Sequence, residues 1–308
     1  MSSVQPRLAC PLCHTLLEPN GRDEFCCPGD RRIYSQQAGI WRCLLPERRI
    51  YFAQFLHEYN VVRTSEGRGA STPEYYQALP FDDLSGRYSV DWRLRARSYT
   101  TFLRRVLVPL EELRAVAMKV LDLGAGNGWL SNRLAQRGHA PAAVDLRTGE
   151  RDGLGAIRHY NQPILAIQAE FDRLPFPDGE FDLVVFNAAF HYSTDYTITL
   201  GESLRVLNPG GRLAILDTPF YRQAASGQAM VLERQARFIQ KYGFPSNALA
   251  SENFLTPGRL EELQQDLHLD WRTIQPFFGL SWLLRPWRAR LRGRREPANF
   301  PILIGRRL

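Results

Sequence analysis

Three glycines at 124, 126 and 128 follow a short apolar run, Val120-Leu121-Asp122-Leu123, and Asp145 closes a second apolar run about twenty residues later. Glycine has no Cβ, so its backbone N–H groups approach a ligand where any side chain would collide. An acid at the tip of the following strand can accept hydrogen bonds from both hydroxyls of a ribose. Strand, glycine turn, helix, second strand and terminal acid are the parts of a nucleoside-binding βαβ unit, so these residues point to an adenosine-containing ligand.

The spacing narrows the choice of ligand. A dinucleotide fingerprint reads GxGxxG, with the third glycine packing the helix against the strand. Here the pattern is GxGxG followed at once by Trp129-Leu130, which argues against NAD or FAD. Three further blocks follow in order: Glu170-Phe171-Asp172-Arg173-Leu174-Pro175-Phe176-Pro177-Asp178, Phe181-Asp182-Leu183-Val184-Val185-Phe186-Asn187, and Arg205-Val206-Leu207-Asn208-Pro209-Gly210-Gly211-Arg212-Leu213. With the glycine loop, these four blocks across about residues 119 to 217 resemble the class I S-adenosylmethionine-dependent methyltransferases, specifically the type 11 methyltransferase domain. The resemblance implies S-adenosyl-L-methionine as cofactor. It places Asp122 and the backbone of Gly124, Ala125, Gly126, Asn127 and Gly128 at the methionyl end, Asp145 at the ribose, and Glu170 with Phe171 at the adenine. Leu146 and Asn187 complete the cofactor set. The plain alternatives are a helix-capping role for Asp122 and a surface charge for Glu170.

Methyl transfer from a sulfonium is an in-line displacement in which the protein mainly positions two reactants and excludes water. On the acceptor side, residues 187–192 leave the fourth strand of the alternating region. His191 there is the candidate general base, because an unperturbed imidazole titrates near neutrality. Tyr192 and Asp195 are neighbours that could orient it, and a structural histidine is the alternative. Asp217-Thr218-Pro219-Phe220-Tyr221-Arg222 ends the fifth strand at the same sheet edge, and Tyr75 and Tyr76 could close over it from an upstream connector.

The elements that must hold these residues are read from periodicity. Strands are expected near 119–123, 140–145, 164–168, 181–186 and 211–216 with helical segments between them, which demands a parallel, doubly wound sheet. Segments 271–278 and 300–305 look like the pair that adds an antiparallel edge, so the expected fold is α/β with a mostly parallel, Rossmann-like seven-stranded sheet. Asp91 is a candidate N-cap for a helix running to about Val116, because Tyr99, Phe102, Leu103, Val106, Leu107, Leu110 and Leu113 recur at helical spacing. Residues 47–90, rich in Gly, Ser, Thr and charge between 63 and 73, read as an irregular connector or lid, and 91–308 as the methyltransferase domain.

Residues 1–46 form a separate unit in this reading. Four of the five cysteines fall within the first 27 residues. In a cytosolic chain, the setting expected here, such clustering favours a metal over disulfides. Cys10-Pro11-Leu12-Cys13, the turn at Asn20-Gly21, Cys26-Cys27-Pro28-Gly29-Asp30, Tyr34 and Gly39-Ile40 resemble the short Trm112-like zinc ribbons, with Asp30 where a fourth cysteine is expected. Zinc accepts carboxylate oxygen, so Cys10, Cys13, Cys27 and Asp30 are the candidate ligands, with Cys26 or Cys43 as alternatives. A ribbon that has lost its metal and is held by docking is the other outcome.

Composition sets outer bounds. The chain has 308 residues, 44% hydrophobic and 23% charged, as expected of a globular protein of one large domain and a smaller unit. No apolar run reaches the ~20 residues of a membrane span, and residues 1–9 lack a signal-peptide core, so a cytoplasmic protein is expected. Net charge is +7, and only Lys119 and Lys241 are lysines. An arginine excess suits RNA or phosphate partners, but its spread along the chain fits arginine-biased coding equally. The local exception is residues 282–295, which interleave tryptophan and arginine and suit either an RNA or membrane contact or a solvated excursion packed through its tryptophans.

These readings converge on a methyltransferase acting on a small-molecule acceptor, with the oligomeric state open. One rival is an rRNA or tRNA base methyltransferase that grips RNA with its ribbon. The rRNA guanine-N1 methyltransferases share that arrangement, but their ligand pattern is missing here because no histidine lies between Cys26 and Cys43. A second rival is a non-catalytic, cofactor-binding adaptor.

Overall fold

The computed structural model describes residues 5–308, so the first four residues of the expected N-terminal unit lie outside the described residues. The chain opens with four short strands, β1 (Glu18–Pro19), β2 (Glu24–Cys26), β3 (Ile33–Gln37) and β4 (Ile40–Arg42), paired antiparallel in sequence order. Between β3 and β4, Ala38 and Gly39 both take positive φ (50° and 77°), the two-residue turn whose twist matches a hairpin. Helices α1 (Pro46–Ser65), α2 (Pro73–Ala78), α3 (Ser89–Phe102) and α4 (Val108–Arg114) follow. The alternating region then runs β5 (Lys119–Leu123), α5 (Trp129–Ala135), β6 (Ala140–Asp145), β7 (Leu165–Gln168), β8 (Phe181–Asn187), α6 (Tyr196–Val206) and β9 (Leu207–Leu216). The last elements are α7 (Ala224–Tyr242), α8 (Pro257–Leu267), β10 (Leu269–Ile274), α9 (Leu280–Leu283), α10 (Arg285–Leu291) and β11 (Ile302–Arg307).

Among the described residues the sheet has eleven strands, in the order β1-β2-β3-β4-β7-β6-β5-β8-β9-β11-β10. This corrects the expected seven. The seven of the Rossmann-like core are β5 to β11, with β11 and β10 as the antiparallel edge. The other four come from the N-terminal segment, because β4 pairs parallel with β7 through Ile40 to Ala166, Trp41 to Ile167 and Arg42 to Gln168. Without β4, β7 would present a bare edge of unpaired backbone groups. The same segment is anchored elsewhere: Ala9 N–H donates to Pro175 O at 3.0 Å, and Leu8, Leu17, Tyr34, Trp41 and Cys43 join the core cluster that contains Ile167 and Phe176.

The central strands are buried on both faces, which is why they read as unbroken apolar runs rather than alternations. Leu121, Leu123, Val144 and Phe186 point to the face covered by α6 and α8 through Leu200, Leu204 and Leu263. Val120, Leu183, Val185 and Ala214 point to the opposite face, covered by α3, α4 and α5 through Trp92, Phe102, Leu110 and Leu134. The chain winds outward from β5 to β6 and β7, then returns to β8 on the other side of β5. Brought together there, the C-terminal ends of β5 and β8 form the crevice in which open α/β sheets bind ligands.

Two local expectations need correction. Residues 46–65 are not irregular but form a 20-residue helix opened by Pro46, whose missing N–H costs nothing at a helix start. The helix from 89 begins after Tyr88 rather than at an Asp91 cap, and it widens into a π turn at Leu103–Leu107 before α4. That widening lies immediately ahead of Pro109, which has no N–H to give to a regular helix and whose ring would crowd the preceding turn.

Candidate active site

The glycine loop between β5 and α5 holds all three glycines at positive φ: +73° at 124, +57° at 126 and +76° at 128. At Gly124 a Cβ would lie 2.2 Å from the Ala189 Cβ, and at Gly128 it would lie 2.6 Å from Ile157 Cγ1. Both positions therefore require glycine for space as well as for backbone angle. The loop is tied to β6, since Gly124 N–H and Ala125 N–H both donate to Val144 O, at 2.8 and 3.1 Å. Gly126 N–H donates to Asp145 Oδ2 at 2.8 Å, and Arg147 N–H donates to Asp145 Oδ1 at 2.8 Å. Each oxygen of Asp145 keeps a lone pair for another donor. Burial pushes the Asp145 carboxyl above its usual range, and those two N–H groups work against the rise.

Ten of the residues expected at the cofactor border one cleft at this crevice: Asp122, Gly124, Ala125, Gly126, Asn127, Asp145, Leu146, Glu170, Phe171 and Asn187. The cleft encloses about 1160 Å³ including its open mouth. Gly128 lies beneath it, packed on Ile157 and Tyr160. Asp122 is almost fully buried. Its Oδ2 accepts from both Ser131 Oγ and Ser131 N–H, at 2.8 and 3.2 Å, and burial raises its pKa to about 7. Asn127 Oδ1 accepts from Trp129 N–H at 3.3 Å and so steadies the first turn of α5. Glu170 is neither solvated nor free: Arg48 of α1 grips it through Nε at 2.9 Å and Nη2 at 2.6 Å, and Arg173 lies 3.1 Å away.

Helix α1 supplies a wall that the sequence reading missed. Phe52, Phe55, Tyr59 and Arg63 all line the cleft from this helix, and Trp92 and Arg95 line it from α3. The signal was present, because Phe52, Phe55, Leu56, Tyr59 and Val62 recur at three- and four-residue spacing. Arg63 and Arg147 both bind Asp152, at 2.8 and 2.9 Å, and Arg147 also donates to Asn60 of α1 at 3.1 Å. With the Arg48–Glu170 pair, these contacts latch α1 across the strand ends. The rings of Phe55, Tyr59 and Tyr192 pack mutually with centroids 5.6 to 6.0 Å apart, making an aromatic wall beside Asn187. Three arginines border the cleft. Arg63 and Arg147 share Asp152, whereas the Arg95 guanidinium, 4.9 Å over the Trp92 ring, makes no hydrogen bond among the described residues.

His191 is set back from this surface. It is not among the residues lining the cleft, its Nδ1 is buried without a partner, and its ring lies 4.4 Å from that of Tyr192. Burial first, then the Arg234 and Arg95 charges, push its pKa down to about 3. Asp195 does not orient it. Instead it caps α6, accepting from Thr197 and Ile198 N–H at 2.8 and 3.1 Å. Asp217, at φ +53°, accepts from Ser98 Oγ at 2.5 Å; burial raises its pKa to about 6 against the Ser98 bond and the Arg95 charge. Tyr75 and Tyr76 are core residues, and the single O–H of Tyr76 is shared between Ala70 O and Arg151 O, 2.6 and 2.7 Å away.

The four expected metal ligands also come together. The Sγ atoms of Cys10, Cys13 and Cys27 and a carboxylate oxygen of Asp30 all lie within 4.8 Å of one another. Cys13 Sγ is 3.4 Å from Cys27 Sγ, and Cys10 Sγ is 3.3 Å from Asp30 Oδ2. Tetrahedral zinc with Zn–S bonds of ~2.3 Å sets its sulfurs about 3.8 Å apart, so little movement is needed. Leu12 N–H points at Cys10 Sγ and Asp30 N–H at Cys27 Sγ, each at 3.5 Å; burial pushes both thiols up, and these N–H groups work against the rise. Cys26 and Cys43 lie outside this group of four.

Residues 121–215, which span β5 to β9 and the cleft's strand ends, match the family described as a methyltransferase domain. The match covers 95 of the chain's 308 residues. Among curated proteins it is similar to the demethylmenaquinone methyltransferase of Thermus thermophilus, 34% identical over 144 residues, covering 45% of this chain and 64% of that one. It is also similar to the ubiquinone/menaquinone biosynthesis C-methyltransferase UbiE of Hahella chejuensis, 30% identical over 150 residues, covering 47% and 60%. The matched segment thus spans less than two thirds of these relatives' length. Among solved structures it resembles an S-adenosylmethionine-dependent methyltransferase from Mesorhizobium loti, with a TM-score of 0.45 and 17% identity over 62% of this chain and 91% of that one.

Proposed function

We propose that this chain is an S-adenosylmethionine-dependent methyltransferase acting on a small, ring-bearing acceptor. The observation that carries the reading is the convergence of Asp122, the glycine loop, Asp145 and Phe171 on one cleft at the sheet's switch point. The cradle fits the cofactor. The glycine turn leaves open space above Gly126 for the methionyl end beside Asp122 and Asn127, Asp145 has a lone pair on each oxygen for a ribose hydroxyl, and Leu146 and Phe171 offer apolar faces to adenine. When bound, S-adenosylmethionine supplies an electrophilic methyl group.

The chain's own residues do the rest. The α1 latch of Arg48 on Glu170 and Arg63 on Asp152 keeps water from the reacting centre. Phe55, Tyr59 and Tyr192 hold an apolar ring, and Arg95, with no protein acceptor, stabilises an oxygen anion on that ring. A cation beside an acceptor oxygen lowers the oxygen's pKa, so the nucleophile is held in its deprotonated form. We assign acceptor activation to Arg95 in preference to His191, because a half-buried imidazole with a pKa near 3 takes up a proton reluctantly. The curated relatives support a small acceptor, since their names cite steps in menaquinone and ubiquinone synthesis. The RNA alternative gains nothing from them.

We further propose that Cys10, Cys13, Cys27 and Asp30 bind zinc as a Trm112-like ribbon, a reading supported by their common 4.8 Å envelope. The functional reading is tested by incubating the protein with radiolabelled methyl donor and fractionated cell extract. Label in the organic-soluble small-molecule fraction is expected. Label in RNA, or cofactor binding with no transfer into any fraction, would contradict it.

A further inference from the structure

The segment between β10 and β11 carries a surface that the cleft does not use. From residue 280 to 291 the chain is nearly one helix. Helices α9 and α10 join through Leu284, whose N–H donates to Leu280 O at 3.2 Å and whose carbonyl accepts from Arg288 N–H at 3.0 Å. Leu280, Leu283, Leu284, Trp287 and Leu291 recur along it at three- and four-residue spacing. At 3.6 residues per turn they share an arc of about 100°. All five stand in solvent, from 46% exposed at Leu284 to 73% at Leu280. The helix is rooted on its other side by Trp282, which packs against Phe278 and Phe300 with centroids 4.8 and 5.9 Å away. Arg97 of α3 donates to Phe278 O just before it.

The apolar row is flanked by positive charge. Residues 280–295 contain six arginines and no acid. Five of them, Arg285, Arg288, Arg292, Arg294 and Arg295, border a hollow beside the helix whose one acid, Glu233, is already paired with Arg295 at 2.7 Å. Arg285 stacks its guanidinium 3.7 Å over the Trp282 ring, and its Nη1 is buried without a hydrogen-bond partner. An exposed leucine row gains nothing from water or from a phosphodiester backbone. An anionic bilayer satisfies both halves at once: the row enters the acyl boundary while the arginines receive phosphate oxygens.

We propose that the helical face 280–291 and its arginine hollow form a docking site for an anionic phospholipid surface, with a lipid phosphate seated in the hollow. The site stands on its own residues and does not depend on the acceptor assigned above. The test is co-sedimentation of the full chain with vesicles of phosphatidylcholine alone and of phosphatidylcholine with phosphatidylglycerol. Binding is expected only to the anionic vesicles and should weaken as salt rises. Each arginine at such a surface is worth roughly a factor of five in partitioning, so the pair Arg288→Glu and Arg292→Glu should lower binding at least ~25-fold. Trp287→Ser should lower anionic binding while leaving its salt dependence intact. These side chains are exposed, so unchanged thermal unfolding would show that the loss belongs to the surface. As a check needing no variant, lipids brominated on the acyl chains should quench the wild-type tryptophan fluorescence. Equal binding to neutral vesicles, no binding to anionic ones, tighter binding to RNA than to vesicles, or a wild-type dimer dissolved by Trp287→Ser would each overturn the proposal.

Discussion

Asp145→Ala removes the carboxylate assigned to the ribose. Oδ1 and Oδ2 each accept one backbone N–H, from Arg147 and Gly126 at 2.8 Å, and each retains a lone pair facing the cleft. Two hydroxyl bonds to a charged acceptor are worth about 1.5–3 kcal/mol apiece. Desolvating a carboxyl already disfavoured by burial offsets part of this, so a net loss of about 3 kcal/mol is expected, or roughly 150-fold in affinity. Asp145→Asn keeps a neutral acceptor and should lose about tenfold. The assay is calorimetric titration with S-adenosylhomocysteine, alongside circular dichroism to confirm folding, because the alanine variant also frees the Gly126 and Arg147 N–H groups. A folded Asp145→Ala protein that binds within about threefold of wild type would refute the ribose assignment.

Four further outcomes follow from the same geometry. Gly124→Ala drives a Cβ to 2.2 Å from Ala189 Cβ at φ +73°, and left-handed strain plus overpacking should cost about 2–5 kcal/mol, read as a lower Tm. Asp122 has its folded pKa raised from 3.8 to about 7, so the folded state keeps a proton that the unfolded chain has lost. Its charge therefore lowers stability as pH rises from about 4 to about 7, and the stability gap between Asp122→Asn and wild type should widen there by on the order of 4 kcal/mol and then level off; a gap constant with pH in urea titrations would contradict this. Arg95→Gln should raise the acceptor KM or lower kcat about tenfold or more while leaving S-adenosylhomocysteine affinity unchanged, as steady-state kinetics would show. Asp30→Ala should lower zinc content by elemental analysis and Tm by several degrees without changing cofactor affinity, and Asp30→Cys should retain the metal.

The βαβ unit was legible because two local signals coincide in it: apolar runs of strand length and glycines at positions where the backbone must turn left-handed. Asp122, Asp145, Glu170 and Phe171 fell on strand ends for the same reason. Helix α1 was missed because the charges that interrupt its apolar spacing, Arg48 and Arg63, have partners far along the chain, Glu170 and Asp152. A local reading treats such residues as solvated and takes the segment for a connector. The four added strands were hidden likewise, since β4 meets β7 across some 126 residues and nothing in Ile40-Trp41-Arg42 names that neighbour. His191 was chosen for its side-chain type. What sets it apart in the structure is position: Arg95, nearly two turns into α3, borders the cleft with no side-chain hydrogen bond, whereas the imidazole is packed beside Tyr192 and does not line it.

The crevice above β5 and β8 is proposed to seat an adenosyl sulfonium for methyl transfer. Titrating the wild-type protein with S-adenosylhomocysteine tests it most directly. Saturable binding at one site per chain is expected, competed by S-adenosylmethionine and indifferent to NAD. Absence of binding, or displacement by NAD as effective as by S-adenosylmethionine, would contradict it.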